Sequence, residues 1–113
     1  MRSLKVTDGF KSFVLDQLEE LGDITPRSMF GGVGLYYRGT FFGIIARDTL
    51  YLKVDGTNLA DYERAGMKAF KPYAGRVRAG AMHYYAVPIG VLESAPDLAT
   101  WARKAIAVAG NRR

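Results

Sequence analysis

The strongest restriction on the fold comes from three short runs of aromatic and β-branched residues. The runs VGLYY, FFGIIA and LYLKV follow one another from Val33 to Val54, separated only by RGT and RDT. Spacers of this length join antiparallel strands as tight hairpins, whereas parallel strands need a crossover of a dozen or more residues. The chain is therefore predicted to contain an antiparallel meander, to which residues 27–30 add a further strand or its approach.

Helical periodicity flanks this meander. Apolar residues recur at intervals of three and four from Thr7 to Leu21, and Gly22 can close the helix in the left-handed conformation. A second amphipathic helix begins with a capping box at Ser94 and runs to Gly110, with Trp101 as its main apolar anchor. We expect these two helices to cover the sheet.

The region between Val54 and Ser94 is predicted to add two smaller elements. The residues LADYERAG indicate a short helix, with Thr57 or Asn58 as its cap and Gly66 as its end. The residues GAMHYYAVP return to strand composition. The order of elements predicts an α+β domain with a mainly antiparallel sheet of about four to six strands.

Composition sets limits on the classes of function. With 113 residues, 49% of them hydrophobic and 24% charged, the chain is expected to fold as one domain over residues 1–113. It has no cysteine and a single histidine, His83, so disulfides, thiolate catalysis and multi-histidine metal sites are not expected. No apolar run approaches the roughly 20 residues that span a bilayer, so we expect a cytoplasmic protein. Because the sequence has no cysteine, one histidine and no dinucleotide fingerprint, we also expect no cofactor.

A cluster of glycines raises the question of a phosphate-binding loop. Gly31, Gly32 and Gly34 precede a strand-like run, and Gly43 lies inside the next one. Phosphate loops instead lead from a strand into a helix whose amides face the anion, and neither dinucleotide nor Walker spacing is present. These four glycines are therefore predicted to shape the sheet, as bulges or close backbone approaches.

The positive charge of the chain is concentrated in one segment. Between Glu63 and Glu93 there is no acidic residue, while five basic residues equal the formal net charge of +5. The candidate surface of this segment consists of Arg64, Lys68, Lys71, Tyr73, Arg76 and Arg78. Three interpretations remain open, which are a solvated loop beside a strand, a nucleic-acid surface and a contact for an acidic protein.

Several ordered blocks resemble the N-terminal domain of the TfoX/Sxy family of competence regulators. The most diagnostic are RSMFGGVGL at residues 27–35, LYLKV at residues 50–54 and YYAVP at residues 84–88. The similarity extends from Phe10 to Ala107. It implies an α+β domain of the secretion-chaperone-like kind, without catalytic residues or cofactor, and we expect it here as a stand-alone unit without the helical C-terminal domain of longer members.

The resemblance also implies a role in regulation. Family members regulate natural transformation, and the better-known ones act with the cyclic-AMP receptor protein at competence promoters. A non-enzymatic adaptor that engages a protein of the transcription apparatus is therefore the leading hypothesis, with a sheet edge or the segment from Arg64 to Tyr85 as its contact surface. Weak direct binding of nucleic acid and a small-molecule-binding module are the alternatives, and a homodimer is a candidate assembly.

Overall fold

Five antiparallel strands form one open sheet in which each strand lies beside its neighbours in sequence. The computed structural model describes residues 5–29, 31–70 and 83–110. The predicted meander and the α+β class are confirmed. Residues 27–29 belong to a strand that begins three residues earlier than expected, and residue 30 lies outside the described residues. The strands are β1 (Ile24–Met29), β2 (Gly32–Tyr37), β3 (Thr40–Ala46), β4 (Thr49–Lys53) and β5 (Tyr84–Ala86).

Two-residue turns join β2 to β3 and β3 to β4, as the spacers predict. Arg38 and Gly39 have φ angles of 49° and 85°, and Arg47 and Asp48 have φ angles of 50° and 53°. Positive φ at both central residues gives such a turn the twist of its flanking strands. Arg38 and Arg47 are the less favourable residues among these four, because arginine lacks the local side-chain hydrogen bonding that lets Asn and Asp adopt the left-handed conformation.

A β-bulge at Phe42 allows β3 to place apolar side chains on both faces of the sheet. Leu35 lies opposite Gly43 and Tyr36 lies opposite Phe41, so Phe42 is the extra residue between them. Phe42 is fully buried in the main core, while the ring of Phe41 lies on the other face. The consecutive phenylalanines therefore serve opposite faces without breaking the sheet.

The described residues contain four α-helices, and a short 3-10 turn (Glu19–Leu21) follows the first. This turn replaces the last residues of the predicted N-terminal helix, and Gly22, with a φ of 67°, ends it as expected. The third helix escaped sequence analysis because a single turn contains no apolar repeat. The helices are α1 (Asp8–Gln17), α2 (Leu59–Arg64), α3 (Ile89–Leu92) and α4 (Ala95–Gly110).

Side chains cap the first turns of α1 and α4, whereas the predicted cap of α2 makes other hydrogen bonds. Thr7 Oγ1 accepts from the Phe10 amide at 3.2 Å, and Ser94 Oγ accepts from the Asp97 amide at 3.3 Å. Asn58 occupies the predicted cap position of α2, but its side chain turns back to the end of β4. Its amide group accepts from the backbone of residue 55 at 2.9 Å and donates to the carbonyl of residue 53 at 3.1 Å, so it closes the loop instead.

The main core lies between the helices and one face of the sheet. In the described part of the chain, each helix contributes to this core and none contributes to a second, smaller cluster on the opposite face. The fully buried side chains of the main core include Leu18, Leu35, Phe42, Leu52, Tyr62 and Leu98. The two sides of the sheet are consequently different surfaces.

Trp101 is less central to α4 than its size predicts. Leu98, Ala102 and Ala105 are fully buried, whereas Trp101 is only partly buried. Its ring contacts Tyr62 edge-on, with the centroids 4.7 Å apart. The small residues of α4 therefore allow close approach to the sheet, and Trp101 joins α4 to α2.

Candidate functional site

The structure describes two members of the predicted basic surface, Arg64 and Lys68. Arg64 lies on α2 in the helical layer, where its Nη2 is 2.8 Å from Asp61 Oδ1. Lys104 Nζ lies 2.9 Å from the other oxygen of Asp61, so this carboxylate serves two cations. Lys68 is exposed. Lys71, Tyr73, Arg76 and Arg78 lie outside the described residues.

The residues after α2 return to the sheet and pair with its last strand. The Phe70 amide donates to the Tyr84 carbonyl at 2.7 Å, and the Ala86 amide donates to the Lys68 carbonyl at 3.0 Å. A β-bridge between Ala69 and Tyr85 completes this short ladder. The pairing places the Phe70 ring against Tyr51, with the centroids 4.8 Å apart.

Rings and cations collect on the face of the sheet that lies opposite the helices. Residues directly opposite each other in neighbouring strands share a face, so Arg27, Gly34, Ile44, Tyr51 and Ala86 fall on the same side. Alternate residues along each strand extend this side. We call it the aromatic face, and its ring-bearing and basic members are Arg27, Tyr36, Phe41, Tyr51, Lys53, Phe70 and Tyr84.

A row of three rings crosses the aromatic face near the β2–β3 turn. The centroids of Tyr36 and Phe41 are 5.1 Å apart, and those of Phe41 and Tyr84 are 5.6 Å apart. At one end of the row the guanidinium carbon of Arg27 lies 5.6 Å from the Tyr36 centroid. At the other end Lys53 Nζ lies 5.0 Å from the Tyr84 centroid. Each distance is within the range of an attractive cation–π interaction.

The aromatic face is also free of acidic residues among its described strand positions. Arg27 is exposed, and no carboxylate in the described part of the chain forms an ion pair with it. The strand residues on this face are Thr25, Arg27, Met29, Gly32, Gly34, Tyr36, Phe41, Ile44, Ala46, Thr49, Tyr51, Lys53, Tyr84 and Ala86. The charged side chains at these positions, Arg27 and Lys53, are both basic, which suits an anionic partner. Asp55, two residues beyond Lys53, interacts electrostatically with that lysine.

Two of the predicted glycines make room for neighbouring side chains. A Cβ on Gly34 would lie 3.1 Å from Phe41 Cε1 and 3.2 Å from the Met29 methyl carbon, so this glycine lets the Phe41 ring lie across β2. A Cβ on Gly43 would lie 3.1 Å from Leu52 Cδ2 and 3.2 Å from the Tyr51 carbonyl oxygen. Their role in the structure is close packing on opposite faces of the sheet.

The other two glycines lie where β1 turns into β2. Gly31 has a φ of 85°, a conformation that favours glycine. Gly32 begins β2, where it is buried opposite Met29. In this structure the glycine cluster leads from strand to strand, as the sequence indicates.

A different kind of surface lies on the helical side. Ile89, at the start of α3, is 71% exposed, and Phe13 of α1 is 38% exposed. Gln17 Nε2 donates to the Leu92 carbonyl at 2.9 Å, which joins the two helices. Phe13 and Ile89 each lie about one helical turn from this contact. We call them the helical patch.

Sequence analysis missed both surfaces for identifiable reasons. Phe13 fits the apolar periodicity of α1, which gives no sign that it stays at the edge of the core. Arg27 and Lys53 fall outside the segment where basic residues cluster in sequence, and only the strand register brings them beside the rings. The alternation of side chains along β2 and β4 is the signal that could have found them.

The described residues provide little for acid–base or metal chemistry. His83 is exposed, and its carbonyl accepts from the Val54 amide at 2.7 Å. Burial raises the pKa of Tyr62, whose hydroxyl has no hydrogen-bond partner in the described part of the chain. No group of three or more histidine or acidic side chains is placed to hold a metal ion within residues 5–29, 31–70 and 83–110.

A shallow depression of about 260 Å³ lies between the end of α1 and the start of β1. It is lined by Leu15, Leu18, Glu19, Gly22, Asp23, Ile24 and Pro26. Its acidic side chains are exposed to solvent rather than aimed into an enclosed apolar cavity, which is the usual setting of a small-molecule site. Among the helices that the structure describes, none has the length and apolar character needed to cross a membrane.

Comparison with known proteins confirms the resemblance seen in the sequence. A family model for the TfoX N-terminal domain matches residues 16–109. The DNA transformation protein TfoX1 of Aliivibrio fischeri is 37% identical over 54 residues, which cover 48% of this chain and 26% of that protein. The matched segment is thus about a quarter of the length of this relative.

Proposed function

Because the chain belongs to the TfoX N-terminal domain family, we propose that it is a non-enzymatic interaction domain that regulates DNA transformation genes through a protein partner of the transcription apparatus. The family and the name of its relative support the link to competence. We place this activity in the cytoplasm. The observation that supports a protein contact is the helical patch.

Exposed large apolar side chains on two joined helices favour a protein partner. Ile89 has 71% of its surface exposed on a one-turn helix that is held to α1 by the Gln17 side chain. Burying an isoleucine fully is worth about 1.5–3 kcal/mol, and aromatic residues such as Phe13 are enriched in interfaces. A partner that covers both side chains would gain free energy without unfolding either helix.

The charges beside the helical patch indicate the kind of partner. Asp16 lies one turn beyond Phe13 on α1, and Glu19 follows in the 3-10 turn, both of them exposed. A complementary surface would therefore combine apolar area with basic groups at its rim. This charge is opposite in sign to that of the aromatic face.

The non-enzymatic part of the proposal is supported by how the acidic side chains are used. Asp48 accepts two hydrogen bonds from Thr7, and Asp61 bridges Arg64 and Lys104. Asp23 pairs with Arg38 at 2.8 Å, and hydrogen bonding to Asp23 raises the pKa of that arginine further. These carboxylates hold elements together rather than converge on one point.

The proposal is tested by replacing the exposed isoleucine in the gene's own host. Ile89→Asp should lower the transcripts of transformation genes and abolish co-purification of the partner, because a charge would have to be desolvated in the interface. Ala107→Asp, an exposed position on α4, is the matched control and should behave like the native protein. Melting temperatures of both variants establish that each remains folded.

Deletion of the gene provides the decisive comparison. Unchanged transcripts and unchanged transformation after deletion would contradict a regulatory role. Normal transcripts with Ile89→Asp, in a strain where deletion lowers them, would move the contact away from the helical patch. A co-purifying component of the transcription apparatus that is lost only with Ile89→Asp is the expected result.

A further inference from the structure

We propose that the aromatic face binds single-stranded nucleic acid, with a base stacked on Tyr36 in the place of the Arg27 side chain and a phosphate held by Arg27. This goes beyond the proposed function, because it assigns a second ligand to the side of the sheet opposite the helical patch. Both residues lie outside the segment around residues 64–85 that the sequence singles out, and that segment contributes the supporting ring of Tyr84. Rings, charge and strand geometry each support the proposal.

Tyr36 is the ring of the row that a base can reach. Phe41 lies between Tyr36 and Tyr84, whereas the other side of Tyr36 faces the exposed Arg27 side chain, which can move. Tyr36 on β2 and Phe41 on β3 are partly exposed, with centroids 5.1 Å apart. Tyr84 is 8% exposed and supports Phe41 from the other side at 5.6 Å. Gly34 leaves the space in which the Phe41 ring lies. Bases stack on such aromatic side chains with little regard to sequence, because every base has a π-face.

The charge on this face suits a phosphate backbone. Arg27 is exposed, so its guanidinium can leave the Tyr36 ring for a phosphate while a base takes its place on that ring. Lys53 lies at the other end of the row, over the ring of Tyr84, and interacts electrostatically with Asp55. The phosphate contact is therefore assigned to Arg27.

The arrangement favours a single strand over the two other anionic partners. A duplex keeps its bases stacked on one another, so it could use the cations but not the rings. An acidic protein segment would likewise use the cations, yet it would gain no base stacking from the Tyr36 ring. That ring is therefore the feature that decides the occupant.

Binding is measured by fluorescence anisotropy with a labelled oligothymidylate of about 15 nucleotides, a length that covers one typical site. An oligouridylate, the matching duplex and a polyglutamate peptide are the competing probes. We expect both single strands to bind more tightly than the duplex or the peptide. The two single strands separate DNA from RNA, which share the stacking chemistry that this face reads.

Two variants separate stacking from charge. Tyr36→Leu should weaken oligothymidylate binding at least about fivefold, the lower end of what one stacked base contributes. Tyr37→Leu is its control, because Tyr37 is the next residue of β2 and packs on the side of the main core. Arg27→Gln should reduce the salt slope by about 0.7, the value for one phosphate on a single strand, while Arg103→Gln on α4 should leave it unchanged.

Several results of these measurements would overturn the proposal. Equal effects of Tyr36→Leu and Tyr37→Leu would overturn the proposal, as would tighter binding of the peptide or equal binding of the duplex. If Tyr36→Leu lowers the melting temperature too far for a binding assay, the exposed Arg27→Gln carries the test alone. Ile89→Asp should bind the oligonucleotide normally, so a failure of the regulatory proposal does not affect this one.

Discussion

At the scale of single residues, the glycine cluster illustrates two separate uses of a missing side chain. Gly31 adopts a conformation with a φ of 85°, whereas Gly34 and Gly43 occupy places where a Cβ would meet neighbouring atoms. The obstacles differ in kind, because Gly34 faces side chains that can move. Gly43 faces the Tyr51 carbonyl oxygen, which belongs to the neighbouring strand.

Gly43→Ala is therefore expected to destabilise the protein. The added Cβ would lie 3.2 Å from the Tyr51 carbonyl oxygen and 3.1 Å from Leu52 Cδ2, so the strands would have to shift. Overpacking of this kind costs about 1–3 kcal/mol of unfolding free energy, which chemical denaturation measures. Gly56→Ala has nothing within 4 Å of its new Cβ and should be neutral or slightly stabilising. Equal stability of the two variants would contradict the packing argument.

A second prediction at this scale concerns pH. The Thr57 hydroxyl donates to Asp55 Oδ1 at 2.6 Å and the Thr57 amide donates to the same oxygen at 2.7 Å, and these bonds lower the pKa of Asp55. Because the folded pKa lies below the unfolded one, the stabilisation is fully present above the ordinary value of about 3.9 and is lost as the pH falls through the folded value.

Thr57→Ala should therefore melt at a lower temperature than the native protein at neutral pH, and the difference should shrink below about pH 4. Thr100→Ala is the control, because its hydroxyl donates to the Pro96 carbonyl, which does not titrate. A difference for Thr57→Ala that is the same at both pH values would show that the carboxylate is not involved.

At the scale of elements, the turn between β3 and β4 combines an unfavourable backbone with a long-range contact. Arg47 and Asp48 both have positive φ, and the Asp48 carboxylate accepts from the Thr7 amide at 2.8 Å and from the Thr7 hydroxyl at 2.9 Å. Thr7 in turn caps α1. The start of the first helix is thus attached to a turn 41 residues away.

Arg47→Asn is expected to stabilise the protein by up to about 1 kcal/mol, because asparagine tolerates the left-handed conformation. The side chain of Arg47 makes no ion pair in the described part of the chain. Thermal unfolding measures the effect. Asp48→Ala is the opposing variant and should lower the melting temperature, since both hydrogen bonds to Thr7 are lost. If Asp48→Ala were stabilising, the hydrogen bonds to Thr7 would contribute less to stability than the backbone conformation of the turn.

The helices, strands and turns could be predicted from the sequence more fully than the contacts between them. Local signals predicted the meander, its tight hairpins and the cap of α4, because period, spacing and capping residues act over a few positions. Contacts between distant residues were not predictable in this way. The ion pair between Asp61 and Lys104, the ladder formed by residues 68–70, and the ring row all depend on the assembled fold.

At the scale of the whole molecule, the two proposed surfaces lie on opposite sides of one sheet. The helical patch belongs to α1 and α3, which pack on the main core, and the aromatic face belongs to the other side. A domain built in this way could hold a protein and a nucleic acid at the same time. Whether the two surfaces bind independently can therefore be measured with a double variant.

Combining Ile89→Asp with Arg27→Gln should therefore give additive effects. The double variant should lose partner co-purification to the same degree as Ile89→Asp alone, and should show the salt slope of Arg27→Gln alone. Its change in unfolding free energy should equal the sum of the single changes within about 0.5 kcal/mol, as expected for sites without shared contacts. Loss of the protein partner with Arg27→Gln alone would indicate that the two surfaces act as one.

The short ladder beside β5 also has a consequence for self-association. Residues 68–70 already occupy the outer hydrogen-bonding edge of β5, so that edge cannot take up another strand. In the described part of the chain, β1 is the one strand that pairs on a single side, and it carries Pro26, which has no amide to donate. An open edge of a sheet can take up a strand from another copy. Strand addition through the described strands would therefore have to use β1.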